Sequence, residues 1–149
     1  MRRTGQLSRP CGTRSQARYW STVTVPLLPP KVTRVQLPPE DSAAVAAQTI
    51  LGPDVKVVSA FQNVSAHYLE TVESLVDCDV LVCGDDKDAR ETVVALARAA
   101  GMRGIHGGVL ANSAAAEALT SVLIFLNGRY KVKVSGIRFT GIPDDSTAT

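Results

Sequence analysis

The chain has 149 residues, 45% hydrophobic and 20% charged, which suffices for one sizeable core and leaves little room for a second ordinary domain. Its formal charge of +2 is uneven, because residues 1–20 hold five arginines and no acid, whereas the remaining residues hold 11 basic and 14 acidic side chains. This mildly acidic remainder does not favour a nucleic-acid partner, and its apolar runs are shorter than the roughly 18 residues of a membrane span.

Residues 1–20 show neither helical nor strand periodicity and are rich in Arg, Ser, Gly and Thr, so we expect them to be disordered. Two interpretations stay open. An acid-free, Arg/Ser-rich N-terminus is typical of a peptide that directs a protein to an organelle. The lack of an amphipathic apolar face favours the other interpretation, a non-native leader that reflects a fragment boundary or a misread start.

The first predicted elements are a strand and a helix joined by a long loop. Residues 22–25 are a β-branched run that suits a strand. The proline-rich stretch over 26–39 is either a rigid surface connection, which we favour, or a recognition segment. Asp41 or Ser42 can then cap an alanine-rich helix over 43–51.

Two buried strands and two helical segments follow. Residues 56–61 and 79–83 are short, apolar and β-branched, as expected of strands buried on both faces. A helical turn is predicted over 66–74. The most regular helix is predicted over 87–100, because acids crowd its first turn and apolar residues recur on one face.

A last helix is predicted over 112–129, nearly all apolar and therefore buried on most sides, either inside the domain or against a second subunit. Residues 131–139 alternate lysine and valine, which suits an edge strand or an extended arm. Strands separated by helices indicate an α/β fold with a parallel sheet and crossover connections. Ligands of such sheets bind at the carboxyl ends of the strands.

Few side chains could act as catalysts. His67 and His106 are the only histidines, and Cys83 ends an apolar run with no histidine at metal-ligand spacing, so we predict neither a catalytic residue nor a metal. Asp85 and Asp86 could form a carboxylate pair, but their place before a helix favours a capping role. This small set of reactive side chains is compatible with a redox enzyme, because there the bound cofactor and not a side chain transfers the hydride.

Two loops are candidates for holding such a cofactor. Residues 62–66, just past a strand end, offer amide side chains and backbone groups where a nicotinamide ring could lie. Residues 107–113 contain two glycines that permit close approach, followed by Asn112 at a helix start. Both patterns also occur as plain turns and helix caps, so each loop stays a hypothesis.

Four segments together resemble the NADPH-dependent reductases of coenzyme F420. They are TVPLLPPK at 24–31, VVSAFQNV at 57–64, CDVLVCGDD at 78–86 and GIRF at 136–139. Their order and spacing match as well, and the resemblance extends over roughly residues 22–142. It implies an oxidoreductase that moves a hydride between NADP and F420, with both ligands in a cleft between a dinucleotide-binding domain and a small C-terminal domain.

The resemblance also implies site residues. The matching motifs would place three residues beside the nicotinamide, namely Gln62, Asn63 and Ala66. They would place three others near the deazaflavin, namely Asn112, Ser135 and Gly136. Relatives carry other residues at several nearby positions: histidine at that of Gln62, proline at that of Ser65, aspartate at that of His106 and proline at that of Val109.

Members of this family begin with a strand and a Gly-rich turn that binds the pyrophosphate, whereas no G-x-G-x-x-G occurs in these 149 residues. The resemblance therefore predicts a truncated chain, with a partial Rossmann-type parallel sheet that lacks its N-terminal strands. Residues 21–84 would be the remnant of that sheet. Residues 85–142 would form a small, mostly helical C-terminal domain, and 143–149 a disordered tail.

Without the phosphate contacts, NADP binding by this chain alone should weaken by about 3–6 kcal/mol, and we expect the truncated chain to be inactive alone. The expected setting is cytoplasmic, with no membrane and no nucleic acid. The helix over 112–129 is expected to form a homo-oligomer contact. The alternative function is a non-enzymatic, degenerate relative that uses the same helix as an assembly surface.

Overall fold

A computed structural model describes residues 18–66 and 77–143 of the chain. Within those residues, four strands form one sheet in sequence order. The strands are β1 (Arg18–Thr22), β2 (Val55–Ser59), β3 (Asp79–Gly84) and β4 (Arg103–Gly108). The α-helices are α1 (Ala43–Leu51), α2 (Lys87–Ala99) and α3 (Ser113–Tyr130), and a 3₁₀ turn (Leu110–Asn112) leads into the last.

The sheet is mixed, which confirms the α/β class but differs from the purely parallel arrangement that the alternation indicated. β1 pairs with β2, and β3 with β4, in parallel. β2 and β3 are antiparallel, with Val58 opposite Gly84 and Ser59 opposite Cys83. The sequence could not reveal this, because a central strand buried on both faces is a continuous apolar run whatever its direction.

Helices cover both faces of the sheet. Val58 lies in a core formed mainly by β3 and α2, together with Val80, Val82, Val93 and Val94. Its neighbour Val57 points to the other face and packs with Ala44 of α1 and Leu110. Successive strand residues face opposite sides, so β2 is buried by α2 on one side and by α1 on the other.

Two strands were misjudged from sequence. The first strand lies at Arg18–Thr22, not at 22–25, so residues 18–20 of the expected disordered leader are ordered, and residues 1–17 lie outside the described part. β4 was missed because glycine is depleted in strands. Here Gly107 is required by close packing, since a Cβ at that position would lie 2.5 Å from Cys83 Sγ.

The remaining elements agree more closely. The helices over 43–51, 87–100 and 112–129 are found within a residue of their predicted bounds. Residues 131–139 form an extended arm and not a strand, and the predicted helical turn over 66–74 falls almost wholly outside the described residues. β4 pairs with β3 in the same sheet, so the predicted domain boundary after residue 84 divides neighbouring strands; that boundary stays a prediction.

The stretch Leu110–Tyr130 is long and apolar enough to cross a membrane by length and composition alone. In the structure this stretch packs against α1 and β3. It also carries Glu117, which is 1% exposed and hydrogen-bonded to α1. A buried, fully bonded glutamate at mid-length is typical of a helix inside a folded domain.

Glu117 holds α3 to the N-terminus of α1. Its carboxylate accepts hydrogen bonds from the backbone amides of Ala43 (2.7 Å) and Ala44 (3.1 Å) and from the hydroxyl of Ser42 (2.8 Å). Ser42 is the N-cap of α1, as predicted, and its Oγ lies 2.6 Å from that of Ser113, the first residue of α3. A negative charge at a helix N-terminus also interacts favourably with the helix dipole.

We expect Glu117→Gln to destabilise the fold by about 1–3 kcal/mol, because the amide group of glutamine would turn a donor toward donors that now face a carboxylate. Urea unfolding followed by circular dichroism measures this change. The exposed Glu40 provides the matched control, since Glu40→Gln should shift stability by less than about 0.5 kcal/mol. Equal unfolding midpoints for the two variants would contradict the capping role of Glu117.

Candidate functional site

A pocket of about 150 Å³ opens where the loop after β2, the middle of α3 and the start of the C-terminal arm meet. We call it the loop–helix pocket. It is lined by Gln62, Asn63, Val64, Ser65, Thr120, Leu123, Ile124, Asn127 and Ser135. None of these side chains is charged, so the pocket suits a neutral group.

The loop after β2 is fixed to α3 by side-chain hydrogen bonds. Asn63 donates from Nδ2 to the carbonyl of Ala116 (2.8 Å) and to Thr120 Oγ1 (3.1 Å). The Thr120 hydroxyl lies 2.9 Å from the carbonyl oxygen of Gln62, to which it can donate. The loop also contains Phe61 at a positive φ of 68°, a left-handed conformation that redirects the chain at the strand end. These contacts make the loop a rigid wall of the pocket.

Gln62 is buried beside the strand ends, with only 6% of its surface exposed. Its amide nitrogen donates to Ser59 Oγ (2.5 Å) and to the carbonyl of Thr22 (3.3 Å). Its side-chain oxygen has no hydrogen-bond partner within the described part of the chain, and the same is true of the side-chain oxygen of Asn127.

The third wall is the C-terminal arm, which Asp79 and Arg103 hold against the sheet. The guanidinium of Arg103 donates to both carboxylate oxygens of Asp79, at 2.9 and 2.6 Å. The backbone amide of Phe139 donates to Asp79 Oδ2 (2.6 Å), and the amide of Asp79 donates to the carbonyl of Ile137 (2.7 Å). Arg103 also donates to the carbonyls of Phe139 and Ile142. We call this set of contacts the arm clamp.

Cys78 lies beside the arm, just before β3, and Cys83 lies near the other end of that strand. A Cβ at Gly136 would lie 2.9 Å from Cys78 Sγ, so the arm approaches β3 too closely for any other residue. Burial raises the pKa of the Cys78 thiol and raises that of Cys83 to about 11. Both thiols are therefore protonated at neutral pH and are poor nucleophiles. Cys83, at the end of the apolar run that forms β3, is fully buried.

The structure gathers some of the predicted site residues and separates others. Gln62, Asn63 and Ser135 line the loop–helix pocket, and Gly136 adjoins Ser135 in the arm. Ala66 is exposed at the end of the same loop. Asn112 ends the 3₁₀ turn before α3, about 12 Å from Thr120 along the helix axis. Its side chain there donates to the carbonyl of Gly107.

The other sequence candidates have structural roles. Asp86 caps α2 by accepting from the amide of Ala89 (2.8 Å), which confirms the capping interpretation for this residue. Asp85 instead accepts from the amide of Leu110 (2.9 Å), at the start of the 3₁₀ turn. His67 lies outside the described residues. His106 forms an ion pair with Glu91 (3.0 Å) on the surface. Within the described ranges, no three His, Cys, Asp or Glu side chains are grouped to hold a metal.

A larger open cavity of about 590 Å³ lies on another side of the sheet, between α1 and the start of α2. Its polar groups already have partners. Lys56 pairs with Asp86 at 2.5 Å, and this hydrogen bond raises the pKa of Lys56. Gln48 bonds the backbone of Gly52, Val55 and Val57. The cavity therefore offers few free polar groups to a ligand.

Comparison with known proteins identifies similar sequences. The chain is 47% identical over 113 residues to the F420-dependent NADP reductase of Methanocaldococcus jannaschii, which covers 75% of this chain and 50% of that protein. It is 42% identical over 107 residues to the protein of the same name from Methanothermobacter thermautotrophicus, covering 70% of this chain and 46% of the relative. The chain thus spans about half the length of the curated relatives it matches.

A solved structure shows the same fold. A candidate F420-dependent NADP reductase from Arthrobacter sp. FB24 superposes with a TM-score of 0.72, covering 83% of this chain and 58% of that one at 23% sequence identity. No protein-family model matches the chain.

The arm clamp should make the unfolding free energy of the protein decrease at acidic pH. Burial alone raises the pKa of Asp79, but the hydrogen bonds from Arg103 and the amide of Phe139 outweigh it and hold the pKa below the ordinary value of 3.8. A carboxyl group whose pKa is lowered by folding contributes stability above its unfolded pKa and loses it as pH falls through the folded pKa. We expect the unfolding free energy to fall below about pH 4.

We expect Asp79→Asn to cost about 3–5 kcal/mol and to flatten this acid dependence, because it removes the carboxylate charge that neutralises the largely buried guanidinium of Arg103. The matched control is Asp77→Asn. Asp77 is 86% exposed and pairs only at the surface, with Arg138, so its loss should cost at most about 1 kcal/mol. Chemical unfolding at several pH values measures both variants. An unchanged pH profile in Asp79→Asn would show that the arm clamp does not contribute as described.

Proposed function

We propose that this chain, a confirmed relative of the F420-dependent NADP reductases, supplies the part of an oxidoreductase that holds a redox ring during hydride transfer between NADP(H) and coenzyme F420. The observation that carries the proposal is the convergence of Gln62 and Asn63, expected beside the nicotinamide, with Ser135, expected beside the deazaflavin. Ser135 lies about 70 positions further along the sequence than Gln62 and Asn63, and yet all three line one pocket.

The size and lining of the pocket support a ring as its occupant. A volume of about 150 Å³ is below the roughly 300–1,000 Å³ of pockets that enclose drug-sized ligands, so it suits one ring and not a whole dinucleotide. Val64, Leu123 and Ile124 provide apolar walls, and amide and hydroxyl groups lie between them. Apolar walls with a few oriented polar groups are typical of sites that position a neutral heterocycle.

When bound, the two cofactors supply the hydride donor and acceptor, and the protein contributes binding, orientation and exclusion of water. Leu123, which is 7% exposed, and Ile124 exclude water from the ring face. Asn63 keeps the loop at a fixed distance from α3. Reduction of a deazaflavin takes up one proton together with the hydride, and no side chain of this pocket is assigned to supply that proton.

The other residues that the family resemblance assigned to the cofactors are proposed to contact them as well. Ala66 and Gly136 are proposed to border the same rings, and Asn112 to contact the deazaflavin beyond the pocket. The diphosphate of NADP would be bound by a Gly-rich segment outside these 149 residues, so this chain alone should be inactive. The proposed partners are small redox cofactors in the cytoplasm, with neither nucleic acid nor membrane involved.

The test is a spectroscopic assay of F420 reduction by NADPH. It is run on this chain alone and on the chain fused to the segment of the Methanocaldococcus jannaschii reductase that it does not match. We expect turnover only in the fusion. In the fusion, Ile124→Trp fills the pocket and should lower kcat/KM by at least about tenfold, or about 1.4 kcal/mol in transition-state stabilisation.

Ile50→Trp is the control for that substitution, because Ile50 is 84% exposed on α1 and makes no part of the pocket. It should leave kcat/KM within about twofold of the parent fusion. A fusion that binds both cofactors but shows no turnover would contradict the enzymatic proposal. Equal activity in the two tryptophan variants would instead place the reaction elsewhere.

A second candidate function is assembly. α3 exposes Val122 (38%) and Phe125 (52%), and Tyr130 at its end is 70% exposed. We propose that this face contacts a second copy of the chain, since exposed apolar side chains on one helix face are typical of homo-oligomer contacts. Homo-oligomer formation is compatible with the enzyme; assembly without turnover in the fusion would favour the non-enzymatic alternative.

Light scattering tests the oligomer directly. We expect the chain to scatter as a dimer or larger species and Phe125→Ser to shift it toward the monomer. Leu96→Ser is the matched control, because Leu96 is similarly exposed, at 55%, on α2. A parent chain that is monomeric at high concentration would refute this contact.

A further inference from the structure

One edge of the sheet is open. β1 pairs with β2 on one side, and within residues 18–66 and 77–143 no strand pairs with its other side. The first four residues of β1 are exposed, and the exposed fractions of its aromatic side chains are 48% for Tyr19 and 53% for Trp20. Native edge strands usually carry a lysine, a proline or a bulge that prevents pairing with another chain. Residues 19–21 contain neither lysine nor proline, and their pairing with β2 is regular.

The two aromatic side chains lie on opposite faces of the sheet, as successive strand residues do. Tyr19 lies opposite Lys56, whose Nζ is 5.7 Å from the centre of the Tyr19 ring, and Trp20 lies opposite Val57. α1 packs on Val57, yet Trp20 on the same face stays half exposed. Neither helix layer therefore fully covers the edge strand, which leaves room for another strand beside it.

The backbone hydrogen bonds show which groups of β1 point outward. The carbonyl of Thr22 accepts from the amide of Ala60, just past the end of β2, so Thr22 points its backbone groups toward β2. In a parallel pair, alternate residues direct both N–H and C=O to the partner strand. Trp20 therefore points inward as well, whereas Tyr19 and Ser21 point their backbone groups outward. The open edge thus offers donors and acceptors in alternation.

We propose that β1 pairs edge to edge with β1 of a second copy of this chain, antiparallel and about a two-fold axis. Trp20 lies opposite its counterpart, and Tyr19 lies opposite Ser21 of the second copy. Because both of these residues point outward, each Tyr19–Ser21 pair exchanges two backbone hydrogen bonds. The two indole rings meet at a non-hydrogen-bonded position, where Cα atoms are about 4.5 Å apart and side chains are closest.

Charge favours the antiparallel direction over the parallel one. Residues 1–17 contain four arginines and no acid, and Arg18 begins the strand. Parallel copies would place these basic segments side by side, and like charges directly opposite each other in a sheet are destabilising. Antiparallel copies place Arg18 opposite Thr22 and the basic segments at opposite ends of the interface. The strand is therefore complementary to itself in one direction only.

The small area of the contact sets its strength. Fully burying an aromatic side chain removes roughly 150–250 Å² from water, so four half-exposed ones bury on the order of 400 Å². This is below the roughly 1,200–2,000 Å² of a stable interface. We therefore expect a weak, reversible dimer that is populated at micromolar concentrations or above. A two-fold contact closes at two copies and does not extend into a fibre.

The single tryptophan of the chain is Trp20, so its fluorescence reports on the edge directly. The experiment uses the full chain carrying Phe125→Ser, which weakens the separate contact proposed for α3. As the concentration rises through the micromolar range, we expect the emission maximum to shift to shorter wavelength, because the indole leaves water. Light scattering should rise toward the mass of a dimer, and hydrogen exchange at the amides of Tyr19 and Ser21 should slow.

Ser21→Pro separates pairing from folding. The N–H of Ser21 points away from β2, so proline removes no hydrogen bond of the sheet, but it removes a donor of the open edge and obstructs the second strand. We expect association to weaken at least about tenfold, or about 1.4 kcal/mol, while the urea midpoint of the dilute monomer stays unchanged. Ser21→Ala is the matched control, because it keeps the N–H and should associate as the parent does.

Emission and scattering that do not change with concentration would overturn the edge pairing, as would equal association of folded Ser21→Pro and Ser21→Ala. Slow exchange at the Tyr19 and Ser21 amides at every concentration would also overturn it, because another segment of the same chain would then cover the edge. Species much larger than a dimer in the Phe125→Ser background would contradict the two-fold arrangement. If Ser21→Pro does not fold, the concentration dependence of the two amide exchange rates decides alone.

Discussion

The carboxylate of Asp79 is fully buried, and a buried charge is tolerated only when it is paired and hydrogen-bonded. Arg103 on β4 and the backbone of the C-terminal arm provide those partners. The requirement to satisfy this one charge therefore draws the arm onto β3. Ser135 lies next to Gly136, at the start of the arm segment that is held in this way. The third wall of the loop–helix pocket therefore depends on the hydrogen bonds of Asp79, the residue that follows Cys78.

A second buried carboxylate fixes the other walls. Glu117 joins α3 to the N-terminus of α1. Asn63 ties the loop after β2 to the same helix by donating to the carbonyl of Ala116 and to the hydroxyl of Thr120. Three segments that are distant in sequence thus meet at α3. The pocket they form is neutral and small, which matches the proposed role of holding a ring while another segment binds the phosphates.

Much of this fold could be predicted from the sequence where local chemistry decides the structure. Ser42 and Asp86 cap helices because their oxygens accept free backbone amides, and such signals are visible in sequence. β4 was missed because its glycines serve packing against Cys83 and Val94, a tertiary requirement with no local signal. The antiparallel pairing of β2 and β3 was invisible for the same reason. Gln62 and Asn63 were indicated by their place just past a strand end as well as by the family resemblance, whereas Ser135 was found only through that resemblance.

The central claim is that Gln62, Asn63 and Ser135 form the walls of one ring-binding pocket. A crystal structure of the chain in complex with coenzyme F420, or with nicotinamide if that is the ring it accepts, tests this most directly. We expect ring density between the loop after β2 and α3, with Ser135 held nearby by the arm clamp. A ring bound in the larger cavity beside Lys56, or an arm displaced from Asp79 with the ring still bound, would contradict it.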